Sequence, residues 1–151
     1  MDYILGEDKP AGCIFCPEAG EDLAERLILF RGRLTQVMMN KYPYINGHLL
    51  ISPKRHTPGL DDLTPEENLD LMAKLRESMA ILKRLMRTDG FNVGLNLGRV
   101  AGAGVDQHIH THLVPRWNGD TNFMPILADT KVINEAIEET YQMLKPKFAS
   151  L

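Results

Sequence analysis

Apolar positions come in short runs, broken by glycine, proline and charged residues, and in one long stripe with helical spacing. Residues 27–30 and 34–39 are apolar and partly β-branched, with Arg31-Gly32-Arg33 between them. This predicts two strands joined by a tight turn. Residues 41–47 include Pro43, Asn46 and Gly47 and read as a loop. His48-Leu49-Leu50-Ile51-Ser52 is then a short buried strand stopped at Pro53. Thr64-Pro65-Glu66-Glu67 has the marks of a helix start: a capping threonine, proline in the first turn, and a glutamate three residues after the cap. Leu71, Leu75, Met79, Leu82 and Met86 follow at spacings of three and four, and Asp89-Gly90 closes the helix. Residues 91–97 and 107–115 read as further strands around a glycine-rich loop at 98–104. Residues 131–144 read as a helix ended by Pro146.

The chain has 151 residues, enough for one domain with one core. We expect a single domain over residues 1–151, with residues 1–12 as a loose arm punctuated by Gly6, Pro10 and Gly12. The net charge of −3 excludes a global attraction for nucleic acid or an acidic membrane, so affinity for phosphate must come from local donors. No signal-peptide pattern and no run of about 18 apolar residues is found, which predicts a cytoplasmic location. Cys13 and Cys16 are the only cysteines. Their C-x-x-C spacing points to metal or redox chemistry rather than a structural disulfide.

His108, His110 and His112 occupy alternate positions of the strand expected at 107–115, so they share one face. Two chemistries fit such a face. Imidazoles ligate zinc, copper or iron. An imidazole is also a nucleophile or acid–base group that titrates near neutrality. The loop upstream favours chemistry on phosphate. Gly98, Gly102 and Gly104 allow close backbone approach, and consecutive N–H groups can form an anion-binding nest. The loop lacks the G-x-x-x-x-G-K-[ST] pattern of a Walker loop.

Residues 107–114, Gln-His-Ile-His-Thr-His-Leu-Val, resemble the H-φ-H-φ-H-φ-φ signature of the histidine-triad (HIT) superfamily, with Thr111 departing at one hydrophobic position. The resemblance runs from about Cys13 to about Ile126. It takes in Asn40, Gly47-His48-Leu49-Leu50-Ile51 and Pro53-Lys54-Arg55-His56. Pro115-Arg116-Trp117 and Gly119-Asp120-Thr121-Asn122-Phe123 resemble the branch with fragile-histidine-triad hydrolases and bacterial diadenosine tetraphosphate phosphorylases.

The resemblance implies an α+β fold: an antiparallel sheet of about five strands, a long helix and a C-terminal helix, with two sheets joined across a homodimer. It implies that His110 attacks the α-phosphorus of a nucleotide to form a nucleotidyl-histidine, and that His112 contacts phosphate and supports the leaving group. Asn40 corresponds to a ribose-binding position and Asn96 to a phosphate-contacting one. Gly104 and Val105 would offer backbone N–H groups to the phosphate. Ile14 and Phe15 are candidates for an apolar wall around the base. The resemblance also implies structural zinc on Cys13, Cys16, His56 and His108, with His48 beneath the triad. No organic cofactor, nucleic-acid polymer or membrane partner is expected.

Two features depart from the simplest relatives. Val105 stands where several carry a phosphate-binding hydroxyl, and the loop between Asn96 and His108 is one residue longer. The expected substrates are dinucleoside polyphosphates similar to diadenosine tetraphosphate, cleaved by a hydrolase or a phosphorylase. The alternatives are an adenosine phosphoramidase, a nucleotide-binding signalling module, and a zinc-dependent hydrolase with all three triad histidines on one metal. Arg116 and Trp117 are candidates for shaping the acceptor site.

Overall fold

In the computed structural model, residues 12–120 and 137–151 are described. The five strands are β1 (Ile28–Arg31), β2 (Thr35–Met39), β3 (Leu49–Pro53), β4 (Gly90–Leu95) and β5 (Thr111–Arg116). They form one antiparallel sheet in the order β1-β2-β3-β5-β4. Two helices, α1 (Pro65–Met86) and α2 (Ile137–Phe148), accompany it. This is the expected α+β architecture. The expected arm over residues 1–12 lies outside the described residues apart from Gly12, as does the expected helix segment 131–136.

The α1 start forms as its residues dictate. The Thr64 hydroxyl accepts from Glu67 N–H, and the Glu67 carboxylate accepts from Thr64 N–H at 2.9 Å. Two orphan donors of the first turn are thereby satisfied. Arg55 grips the Glu67 carboxylate at 2.8 Å through Nε and Nη2, which anchors this cap to the end of β3. The helix closes at Arg87, in the left-handed region at φ 51.

α2 differs from expectation, because it runs through Pro146 to Phe148. A proline here costs one backbone hydrogen bond near the helix end, where fewer turns follow to be disrupted. Leu144 and Phe148, both fully buried, draw the last turn into the core. β5 is shorter than expected. Ile109 N–H donates to Thr57 O at 2.7 Å, so the residues before Thr111 bond to the loop after β3 rather than to the β4 ladder.

Strand alternation divides the interior in two. Leu29, Val37, Met39, Leu49, Ile51 and Leu113 face α1 and α2, meeting Leu75, Leu82, Leu144 and Phe148. On the other face Ile28, Met38 and Leu50 pack with Phe15, backed by Cys13, Ile14 and Val105. Leu50 pairs with His112 across β3 and β5, so the histidine face is the one turned away from the helices.

Candidate active site and metal cluster

His112 lies on β5, His108 and His110 lie in the segment just before it, and each makes a different contact. His108 is fully buried. Its Nε2–H donates to Pro53 O at 2.8 Å, so the Nδ1 lone pair faces Cys13 Sγ at 3.3 Å and Cys16 Sγ at 3.7 Å. His56 Nδ1 lies 3.2 Å from Cys16 Sγ. The ligand atoms of Cys13, Cys16, His56 and His108 all lie within 4.8 Å of one another. A tetrahedral zinc with typical bond lengths separates its sulfur and nitrogen ligands by about 3.6 Å. The donor set and spacing therefore fit zinc. The Pro53 carbonyl, by holding the far nitrogen of His108, supplies the outer contact that orients a ligating imidazole. Burial and the neighbouring Cys13 push the Cys16 thiol up to about 11, which disfavours a thiolate pair without a cation.

The loop that presents the cysteines is held from below. Arg26 Nη2 donates to Ile14 O at 2.6 Å and to Cys16 O at 3.0 Å. Glu21 pairs with both Arg26 and Arg31. Gln36, fully buried on β2, donates to Phe15 O at 2.5 Å. The loop pattern itself did not single out Glu21, Arg26 or Gln36. Their roles depend on chain segments that meet only in the fold.

His110 is 8% exposed. Its Nδ1–H donates to His108 O at 2.9 Å, leaving the Nε2 lone pair available. The Phe15 ring stacks on this imidazole at 4.6 Å between centroids and 24° between planes. Burial lowers the pKa of His110, opposed by the His108 carbonyl. The ring is thus held neutral, with the Nε2 lone pair as its basic position.

His112 belongs to a directed chain. The Tyr44 backbone N–H donates to His48 Nδ1 at 3.2 Å, and the Asn40 side-chain amide reaches the same nitrogen at 3.3 Å. A backbone amide can only donate, so His48 Nδ1 carries no proton. The proton of neutral His48 is therefore on Nε2, which faces His112 Nδ1 at 3.0 Å. It follows that His112 carries its own proton on Nε2. Burial, then His112 and His110, push His48 down to about 4. Burial, then His110, push His112 to about 4. The site thus combines a base with a free nitrogen on His110 and an N–H donor on His112, their rings 5.0 Å apart. His48 was legible as a partner of the triad. The part played by Tyr44 had no sequence signal, because a backbone N–H is common to nearly every residue.

The remaining candidates are placed as follows. Asn40 Oδ1 accepts from Tyr42 N–H at 3.0 Å, so this side chain braces the β2–β3 loop. Asn96 donates to Gly102 O at 3.2 Å and ties down the glycine loop. That loop contains a short 3-10 turn, Arg99–Ala101, between Gly98 at φ 80 and Gly102 at φ 88. Val105 packs against the Phe15 cluster, which accounts for an apolar residue there; Gly104 is exposed beside it. Ile14 is half-buried and Phe15 is 1% exposed. Arg116 forms two contacts of 2.7 Å with Asp120 and one of 2.8 Å with Asn92, while Trp117 Nε1 donates to Met86 O at 3.0 Å. These contacts knit the end of β5 to its neighbours.

A family model described as the HIT domain matches residues 23–119. A Mycobacterium tuberculosis protein named AP-4-A phosphorylase is 42% identical over 125 residues, covering 83% of this chain and 64% of that protein. The chain therefore spans less than two thirds of that relative's length. A Schizosaccharomyces pombe protein named bis(5'-nucleosyl)-tetraphosphatase (asymmetrical) is 33% identical over 93 residues, 62% of this chain and 50% of that protein. Among solved structures, a Zn-bound histidine triad family protein from Mycobacterium smegmatis superposes with a TM-score of 0.67 at 27% identity, covering 82% of this chain and 84% of that one.

Proposed function

The chain belongs to the HIT-domain family, and from that premise we propose that it cleaves the α-phosphate linkage of dinucleoside polyphosphates through a nucleotidyl-histidine on His110. The observation that carries the reading is the pair of opposed ring states: a free Nε2 lone pair on His110 beside an Nε2–H on His112. The names of the Mycobacterium and Schizosaccharomyces relatives support the substrate class.

In the first step His110 Nε2 bonds to the α-phosphorus and the bond to the bridging oxygen breaks. The leaving nucleotide takes the electron pair, and His112 offers its N–H to that oxygen. In the second step water or inorganic phosphate attacks the phosphorus and the P–N bond breaks, restoring His110. Backbone N–H groups at Gly104 and Val105 would bear on the phosphate oxygens, with Asn96 shaping their loop. Asn40 would meet the ribose, and Ile14 would border the base. The phosphorylase name of the 42% identical relative favours phosphate as the acceptor.

Zinc on Cys13, Cys16, His56 and His108 is part of the same proposal, supported by the cluster and by the Zn-bound relative of similar fold. Such a four-ligand site is structural and leaves His110 and His112 outside it. One metal shared by all three triad histidines gains no support, because His108 turns its lone pair to the cysteines while His110 and His112 engage other partners. Thiol ligands need a reducing setting, consistent with a cytoplasmic protein. A homodimer is supported by β4, an edge strand whose Val93 and Leu95 are exposed.

The test is product analysis with diadenosine tetraphosphate, with and without inorganic phosphate. ADP plus ATP formed only with phosphate marks a phosphorylase; AMP plus ATP without it marks a hydrolase. His110→Ala should abolish either reaction, and full turnover by that variant overturns the mechanism. If neither product set forms, adenosine phosphoramidates are the next substrates.

A further inference from the structure

We propose that Phe15 is a positioning residue that links the cysteine cluster to the nucleophile, so that a metal at the cluster governs turnover without touching substrate. This rests on the reading of His110 as the nucleophile. Phe15 lies between Cys13 and Cys16 in the chain, and its backbone carbonyl is held by Gln36. The flanking carbonyls of Ile14 and Cys16 are held by Arg26. Its ring leans on two triad members: it stacks on His110 and is tilted over His108 at 5.3 Å and 48°.

A single hydrogen bond at Nδ1 sets the tautomer of His110 but leaves the imidazole free to swing about that bond. The Phe15 ring closes one face against this swing, and the edge-on contact with His112 closes another side. An in-line attack needs the Nε2 lone pair held in one direction, so restricting this motion contributes to the rate. With 1% of its surface exposed, Phe15 has little area left to stack on a nucleobase. Its position instead follows from the Cys13–Cys16 loop, whose backbone Gln36 and Arg26 hold. A metal on those sulfurs and on His108 would clamp both ends of the Cys13–Cys16 loop and the start of the catalytic segment. Loss of the metal removes this clamp and leaves the loop on its Gln36 and Arg26 hydrogen bonds alone, so the His110 ring gains room to rotate.

The experiment compares zinc-loaded wild type with zinc-loaded Phe15→Leu. Leucine keeps the apolar contact with Ile28, Met38 and Leu50 but removes the ring. The expected result is an unchanged metal content, KM within about twofold, and kcat lower by about three- to tenfold, the range for losing one aromatic pair. The His110 imidazole resonances in proton–nitrogen spectra should move. Removing zinc from the wild type with a chelator should move them in the same direction, and zinc re-addition should restore them. In Phe15→Leu, zinc removal should move them little further. A raised KM with unchanged kcat overturns the proposal and assigns Phe15 to the nucleobase. Wild-type resonances of His110 that ignore zinc overturn it as well, and this arm holds even if Phe15→Leu fails to fold. Should His110→Ala retain turnover, the nucleophile assignment fails instead, while the resonance arms still report whether cluster and ring are linked.

Discussion

Replacing His48 with leucine separates the hydrogen-bond chain behind His112 from mere packing. His48 is 1% exposed, and its two ring nitrogens meet Tyr44 N–H, the Asn40 amide and His112 Nδ1 at 3.2, 3.3 and 3.0 Å. Leucine fills most of the volume but leaves the Tyr44 N–H and His112 Nδ1 without this partner. An orphaned buried polar group costs about 1–3 kcal/mol. Tyr44 lies at the rim, where water replaces part of the loss, so the expected destabilisation is about 2–4 kcal/mol. Turnover should fall further than stability explains. Without the His48 Nε2–H, the proton of His112 is free to sit on either nitrogen and its ring is free to turn. A positioned N–H donor facing developing negative charge is worth about 10²–10³ in kcat. Misplacing that donor without deleting it should cost about 10–100-fold in kcat. Urea melts give the stability change. Steady-state turnover is compared for diadenosine tetraphosphate and for a nitrophenyl ester of AMP, whose leaving oxygen spreads its charge into the ring and depends less on an N–H donor. The loss should shrink to less than about threefold on the ester. Equal losses on both substrates, or a lowered urea midpoint with unchanged kcat, would refute the reasoning.

Three further outcomes are expected. His48 and His112 sit at about 4 in the fold against an ordinary 6.5, so the unfolded chain binds more protons between those values. Stability is therefore full above pH 6.5 and declines toward pH 4, by at most about 1.4 kcal/mol per pH unit per histidine and less for the more exposed His112; urea midpoints that do not change from pH 7.5 to 5 count against this. Cys16→Ser should lose zinc, and with zinc at about 100 times the wild-type Kd the wild type should melt roughly 5–10 °C above the variant, a gap that closes when both are stripped of metal. Gly47→Ala should destabilise by about 1–3 kcal/mol in urea titration, because φ is +81 and the added carbon would lie 2.8 Å from Met86 Sδ. A neutral effect would mean that Met86 moves aside and the turn relaxes.

The elements built by local rules were legible from the chain. The capping box at Thr64 and Glu67, the apolar stripe through Leu75 and Leu82, and the turn at Gly32 each depend on residues within a few positions of one another. The grouping of His108, His110 and His112 was legible as well, although only His112 falls within β5. The continuation of α2 past Pro146 was not legible. It depends on Phe148 finding a fully buried place in a core that includes Leu29 of β1 and Val37 of β2, both more than a hundred residues away. The shortening of β5 likewise reflects Thr57, which takes Ile109 N–H out of the ladder.

At the site, sequence alone determined which residue types share a face and hence which chemistry they support. Tertiary structure decided what each imidazole does. Pro53 O turns the His108 lone pair toward the cysteines, the carbonyl of His108 frees Nε2 of His110, and the Tyr44 N–H passes a tautomer through His48 to His112. A neutral imidazole in water can carry its proton on either nitrogen. Only partners brought together from separate strands and loops select one, which is why alternation revealed the triad and only the fold assigned its three roles.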